Sequence, residues 1–222
     1  MKLVDYYCDR EILVPEPKST QVVLFLDGAF VTPTDTMEKM RQLRELTAVD
    51  IVGAVGSQST SRDQRYWCRI DACIRDWVPA PMPLREVDIL HSTVVIAALA
   101  TQLASLYQQI AVVGYSQGAI IALLAQRLAP QCLSKIVAVC PATVRNHPYV
   151  RASEAPVLLF PEHDTFANAS MRAEIAAALG AESLVIPNHG HQWSFRLAQI
   201  VAQHINSSFT LALGIRCCFL LI

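Results

Sequence analysis

The sequence predicts an α/β fold built on a mostly parallel sheet with helices on both faces. Three observations lead there. Short β-rich apolar runs alternate along the chain with longer segments of helical period. The strand candidates are apolar throughout, as strands covered on both faces are. The chain has 222 residues, 53% of them hydrophobic and 17% charged, enough for one domain with a sizeable core and short for two.

In chain order, "VVLFL" (22–26) is the first strand. Asp35 stands three residues before Glu38 and reads as the N-cap of a capping box for a helix through about Leu46. "DIVGAV" (50–55) is the next strand. Residues 56–86 are too long for a simple strand-to-helix loop and hold Trp67 and Trp77, so they are expected to wall the site. A helix over about 86–107 precedes the strand "IAVVG" (110–114), and "AIIALLAQRLA" (119–129), apolar almost all round, reads as a helix buried against the sheet centre. Strands at 135–140 and 157–161, a helix at about 168–179, a strand at 183–187 and a last helix at about 193–206 complete the pattern. Only 16 residues separate Cys140 from Val157, which leaves room for little or no lid. The domain is read as 1–208, followed by an apolar tail at 209–222.

The formal net charge is −1 and no basic run stands out, which argues against nucleic acid and against an anionic membrane surface. A small neutral or amphiphilic molecule is the expected partner. Asp5, Asp9, Arg10 and Glu11 interrupt the N-terminal apolar residues, so neither a signal peptide nor an anchor is expected there. Seven cysteines without a CxxC pair suggest reduced thiols and a cytoplasmic protein. No His/Cys/Asp cluster has ligand spacing, so no metal and no organic cofactor is expected.

In the tail, 11 of 14 residues are apolar, too few to span a bilayer. It reads as a segment packed on its own domain, as a homodimer contact, or as an interfacial patch acylated at Cys217 or Cys218. The first two are favoured over membrane contact, because such a patch left exposed promotes aggregation.

The chemistry is concentrated in Gly114-Tyr115-Ser116-Gln117-Gly118, a G-x-S-x-G sequence placed directly after a strand and directly before a helix. In that context the serine takes strained backbone angles that lift its hydroxyl above the sheet, and flanking glycines let strand and helix pass closely. A serine nucleophile needs a base and an acid, each expected at the end of a later strand. "VLLFPEHD" ends in Asp164 and "SLVIPNHGH" ends in His191. Glu162 and His163 compete with Asp164, and His189 competes with His191. Asp164 is preferred for its place on the loop, His191 for the turn that Gly190 permits.

Two backbone donors are expected to hold an oxyanion: Gln117, which follows the nucleophile, and Ala29, or less readily Phe30, in the turn "DGAF". Cys140 ends a strand near the site and reads as a small core residue. Trp67 and Trp77 read as acyl-pocket walls or as pins that hold the long excursion to the core.

Taken together, these residues resemble the α/β-hydrolase fold. The Ser-Gln-Gly form of the elbow more narrowly resembles the phospholipase/carboxylesterase group, which includes small bacterial carboxylesterases and acyl-protein thioesterases. The resemblance spans about residues 20–206 and includes the Arg65-Tyr66-Trp67 segment. It implies hydrolysis of a carboxylic ester or thioester through an acyl-serine, with Ser116, His191 and Asp164 as the triad and Asp27, Phe30, Tyr115 and Trp67 near the substrate. Two alternatives accompany it: a biosynthetic thioesterase that passes the acyl group to an alcohol or amine, and a non-catalytic binding protein that kept the fold.

The sequence departs from the group at Asp27-Gly28, where His-Gly is usual, and at Pro161, where the acid loop usually has glycine. A charged Asp27 beside an oxyanion would be repulsive, so it must be paired, be protonated, point away, or serve a polar substrate group.

Overall fold

The computed structural model describes residues 2–4, 17–60, 62–70, 84–133, 135–144, 147–149 and 154–218, with side chains left out for 2–4, 208 and 210–218. Seven strands form one sheet: β1 (Lys2–Val4), β2 (Gln21–Leu26), β3 (Asp50–Ala54), β6 (Gln109–Tyr115), β7 (Lys135–Val139), β8 (Val157–His163) and β9 (Ser183–Gly190). Their order across the sheet is β1-β3-β2-β6-β7-β8-β9, and every ladder is parallel. A two-stranded hairpin, β4 (Gln58–Ser59) with β5 (Arg65–Tyr66), stands apart.

Alternation along the strands explains why both faces are covered. Val22, Leu24, Leu26, Val112 and Ile136 face a core closed by α2 (Glu86–Ala104), α3 (Gln117–Ala125) and α4 (Ala169–Leu179). Val23, Phe25, Ile51, Val113 and Val137 face the opposite core, closed by α1 (Pro33–Leu46) and α5 (Phe195–Cys218). Strand periodicity of two thus assigns consecutive apolar residues to two different cores, which is why the runs read as continuously apolar.

Several boundaries differ from the sequence reading. The N-cap of α1 is Thr32 rather than Asp35: Asp35 is the third helical residue, and its side chain and that of Thr32 each satisfy the other's backbone N–H. Pro33 at the first helical position explains the earlier start, since its fixed φ suits that place and it has no N–H to leave unsatisfied. Strand β1 adds an edge the sequence reading lacks. Strands β8 and β9 run to His163 and Gly190, past the expected ends. Helix α3 stops at Ala125, whereas α5 continues past 206 to Cys218, and Phe209, the first residue of the expected tail, is buried in the core on the α1/α5 face.

Within the long excursion, the β4–β5 hairpin returns to the turn after β2, where Val31 and Arg65 exchange backbone hydrogen bonds. Trp77 lies outside the described residues. Among the described residues between β7 and β8 there is no helix.

Candidate active site

Strand register brings the candidate residues to one edge of the sheet. Leu26 is level with Gly114, and Tyr115 with Val139, so the turn after β2 and the turn after β6 stand side by side. At the far side His163 of β8 pairs with Gly190 of β9, across an irregularity that follows Pro161. The next residue on each strand is Asp164 and His191. The adjacency that a hydrogen bond between them requires is therefore built into the ladder.

Ser116 sits at φ 55° and ψ −119°, a conformation rarely taken by a residue with a side chain. Its N–H still donates to the Val139 carbonyl at 2.9 Å, so the strain is held by the sheet on one side and the start of α3 on the other. Gly114 and Gly118 make the crossing possible. A Cβ on Gly118 would lie 2.1 Å from the Leu26 carbonyl oxygen, and one on Gly114 would lie 2.5 Å from the Cα of Ala119. No side chain fits at either place.

His191 Nε2 lies 3.0 Å from the Ser116 hydroxyl, and His191 Nδ1 lies 2.9 Å from Asp164 Oδ1. In the neutral ring this means that Nδ1–H donates to the carboxylate and Nε2 accepts from the hydroxyl. The Asp164 side chain is wholly buried, and its Oδ1 also accepts the Phe166 N–H at 2.8 Å. The Phe166 ring meets the imidazole edge-on with centroids 4.5 Å apart, which fixes the ring plane.

The competing groups go elsewhere. Glu162 accepts the Asn188 N–H, and His163 is exposed. His189 is buried and bridges the Gly190 carbonyl and the Ser194 hydroxyl, each at 2.7 Å, tying the loop to the start of α5.

Cys140 Sγ, a carboxylate oxygen of Asp164 and a ring nitrogen of His191 lie within 4.8 Å of one another. These are metal-ligand types, but Asp164 and His191 already face each other through a hydrogen bond. Burial above all, with the Asp164 charge beside it, pushes the Cys140 thiol well above its ordinary pKa and keeps it protonated. Tyr115 is likewise held as the neutral phenol, by burial first.

A cleft of about 330 Å³ opens over Ser116 and His191, between Gly28, Ala29, Lys39, Tyr115 and Trp193. Among the described residues the Ala29 and Gln117 N–H groups have no protein acceptor, and Gln117 is the first residue of α3.

Two expectations about substrate contact need correction. Asp27 is fully buried, and its carboxylate is occupied by the Gly28 N–H, the Thr36 hydroxyl and the Lys39 ammonium, each at 2.7 Å. Trp67 is 2% exposed and donates its indole N–H to the Asp27 carbonyl, so it pins the excursion to the core instead of walling the cleft. Of the other two, Tyr115 lines the cleft, while Phe30 is 40% exposed with its ring tilted against Tyr66.

Sequence reading missed three roles. Lys39 and Trp193 line the cleft. The Gln117 side chain is a tether, accepting from the N–H groups of Trp67 and Cys68 and donating to the Cys68 carbonyl.

Neither a family profile nor any curated protein matches the sequence. Solved structures do match in shape. The carboxylesterase from Mesorhizobium loti superposes with a TM-score of 0.68 at 20% identity, covering 86% of this chain and 90% of that one. The Bacillus cereus carboxylesterase gives 0.68 at 17% identity, covering 87% and 92%. SOBER1 from Arabidopsis thaliana gives 0.66 at 14% identity, covering 85% and 99%.

This chain has the α/β-hydrolase fold. Ser116 follows β6, the fourth of the seven strands across that sheet.

Proposed function

We propose that this α/β-hydrolase-fold chain is a serine hydrolase that cleaves a small carboxylic ester or thioester through an acyl-serine. The single observation that carries the reading is the unbroken chain Asp164–His191–Ser116, with bonds of 2.9 and 3.0 Å ending on a serine at positive φ. Ser116 Oγ attacks the carbonyl carbon as its proton passes to His191 Nε2. Asp164 holds the imidazole in the required tautomer and stabilises the imidazolium.

The carbonyl oxygen becomes an oxyanion held by the Ala29 and Gln117 N–H groups, with the positive end of α3 behind it. Collapse expels the alcohol or thiol, which takes the proton from His191. Water then attacks the acyl-serine by the same route, with His191 as base, releasing the acid and restoring the serine.

The cleft has room for a small acyl group, and His191, its side chain 15% exposed, is open to water as acceptor. The free thiols of Cys68, Cys132 and Cys140 suit a reducing, cytoplasmic setting. Hydrolysis of p-nitrophenyl acetate by wild type, Ser116→Ala and His191→Ala tests the assignment. Both variants are expected to lose about 10³-fold or more in kcat. A Ser116→Ala protein that keeps wild-type kcat overturns it.

A further inference from the structure

We propose that Lys39 is a positioning residue for the oxyanion turn, neutralising the buried Asp27 carboxylate so that it can anchor Gly28 and Ala29 without repelling the oxyanion. The inference rests on the proposed role of the Ala29 N–H as an oxyanion donor.

Asp27 is the hub of the turn. Its side chain gathers the Gly28 N–H, the Thr36 hydroxyl and the Lys39 ammonium at 2.7 Å each, and its backbone carbonyl accepts the Trp67 indole N–H at 2.7 Å. That hub stands close to the nucleophile, since a Cβ on Gly28 would lie 3.2 Å from the Cβ of Ser116. A lone carboxylate here would be doubly unfavourable: a charge buried without a partner, and a negative field beside the place where negative charge develops. Burial first, and Asp27 among the neighbouring groups after it, raise the pKa of Tyr115, whose side chain lines the same cleft.

Lys39 is the cation that answers it, and among the described residues it is the only one paired with Asp27. Its side chain is 13% exposed, and its ammonium also lies 5.2 Å from the centre of the Tyr115 ring, a second attraction that holds it over the turn. Helix geometry sets the pairing. Thr36 and Lys39 are three residues apart on α1 and so share a face, and the Thr32–Asp35 capping box fixes where the helix begins.

A substrate anchor would make a different use of the same ammonium, since Lys39 lines the cleft. Kinetics separate the two roles. Removing a positioning residue lowers kcat, whereas removing an anchor that binds ground state and transition state equally raises KM.

The test compares wild type, Lys39→Met, Lys39→Arg, Asp27→Asn and the double variant Asp27→Asn/Lys39→Met on p-nitrophenyl acetate. Lys39→Met is expected to lose about 10- to 100-fold in kcat, part of what one oxyanion donor is worth, with KM within about threefold. Lys39→Arg, which keeps the charge, should retain most of kcat. The double variant should regain at least about tenfold over Lys39→Met, because no unpaired carboxylate remains.

A wild-type kcat in Lys39→Met, a raised KM at unchanged kcat, or a loss that Asp27→Asn does not relieve overturns the proposal. If Lys39→Met does not fold by circular dichroism, the comparison of Asp27→Asn with the double variant decides. With position 27 neutral, Lys39 should be dispensable to within about threefold, and a further large loss refutes the role. Failure of the hydrolase reading is distinguishable, because wild type would then show no hydrolysis that depends on Ser116.

Discussion

Gly118→Ala probes the crossing of α3 over β2. The new Cβ would stand 2.1 Å from the Leu26 carbonyl oxygen and 2.4 Å from that of Asp27. Ordinary contact begins near 3.4 Å, so backbone must move by about 1.3 Å (3.4 − 2.1). Leu26 is held between β3 and β6, and no flexible side-chain end is available to give way.

Overpacking of this kind costs about 1–3 kcal/mol or more, while alanine returns up to about 1 kcal/mol of helix propensity. Because only firmly held backbone could give way, the upper end applies, and a net cost of about 2 kcal/mol lowers Tm by roughly 4–8 °C in a chain of this length. The same shift displaces the Ala29 amide, and an ångström of misplacement costs about 10²-fold in rate. Calorimetry and p-nitrophenyl acetate hydrolysis at 20 °C read the two effects separately. Unchanged Tm with unchanged kcat would refute the close-crossing argument.

Gln117→Met removes the tether but keeps the backbone donor. It leaves the buried N–H groups of Trp67 and Cys68 unpaired, for an expected loss of about 2–4 kcal/mol in urea unfolding, while kcat falls less than about tenfold. A stability equal to wild type would contradict the tether. Stability should also fall in alkali. Burial pushes the Cys68 thiol up to about 12 and Cys140 well above its ordinary range, so folding keeps both protonated where the unfolded chain ionises them. Their contribution is complete below about pH 8.5 and is lost above it as pH rises toward the folded values, at about 1.4 kcal/mol per pH unit for each thiol. Urea midpoints from pH 8 to 10.5 should decline, and less steeply in Cys68→Ala/Cys140→Ala; an equal decline would show that the thiols are not responsible.

Most of the sheet could be read from the sequence because each central strand is an unbroken apolar run between turn signals. β1 could not, since three residues of an edge strand carry no periodicity and acquire their pairing only from β3. The start of α1 was misplaced because Asp35–Glu38 and Thr32–Asp35 both have capping-box spacing; the proline between Thr32 and Asp35 favours the second.

At the site, Ser116 stood out in the sequence through G-x-S-x-G between a strand and a helix, and Asp164 and His191 through their places a few residues beyond later apolar runs; the longer strands of the structure end one residue before each of the three. The partners of Asp27 were not legible, because a carboxylate beside a glycine looks the same whether it faces a ligand or a lysine 12 residues on. Trp67 was similarly ambiguous, and the indole bond to the Asp27 carbonyl decides for the core. The thread from Gln117 to Trp67 and Cys68 spans about 50 residues and has no local signature.

The most direct measurement of the central claim is peptide mapping by mass spectrometry after treatment with a fluorophosphonate, which reacts with a serine only where a base and an oxyanion hole activate it. The account predicts one adduct, on Ser116, absent from Ser116→Ala and greatly slowed in His191→Ala. An unmodified wild-type protein, or an adduct at another residue that persists in Ser116→Ala, would contradict it.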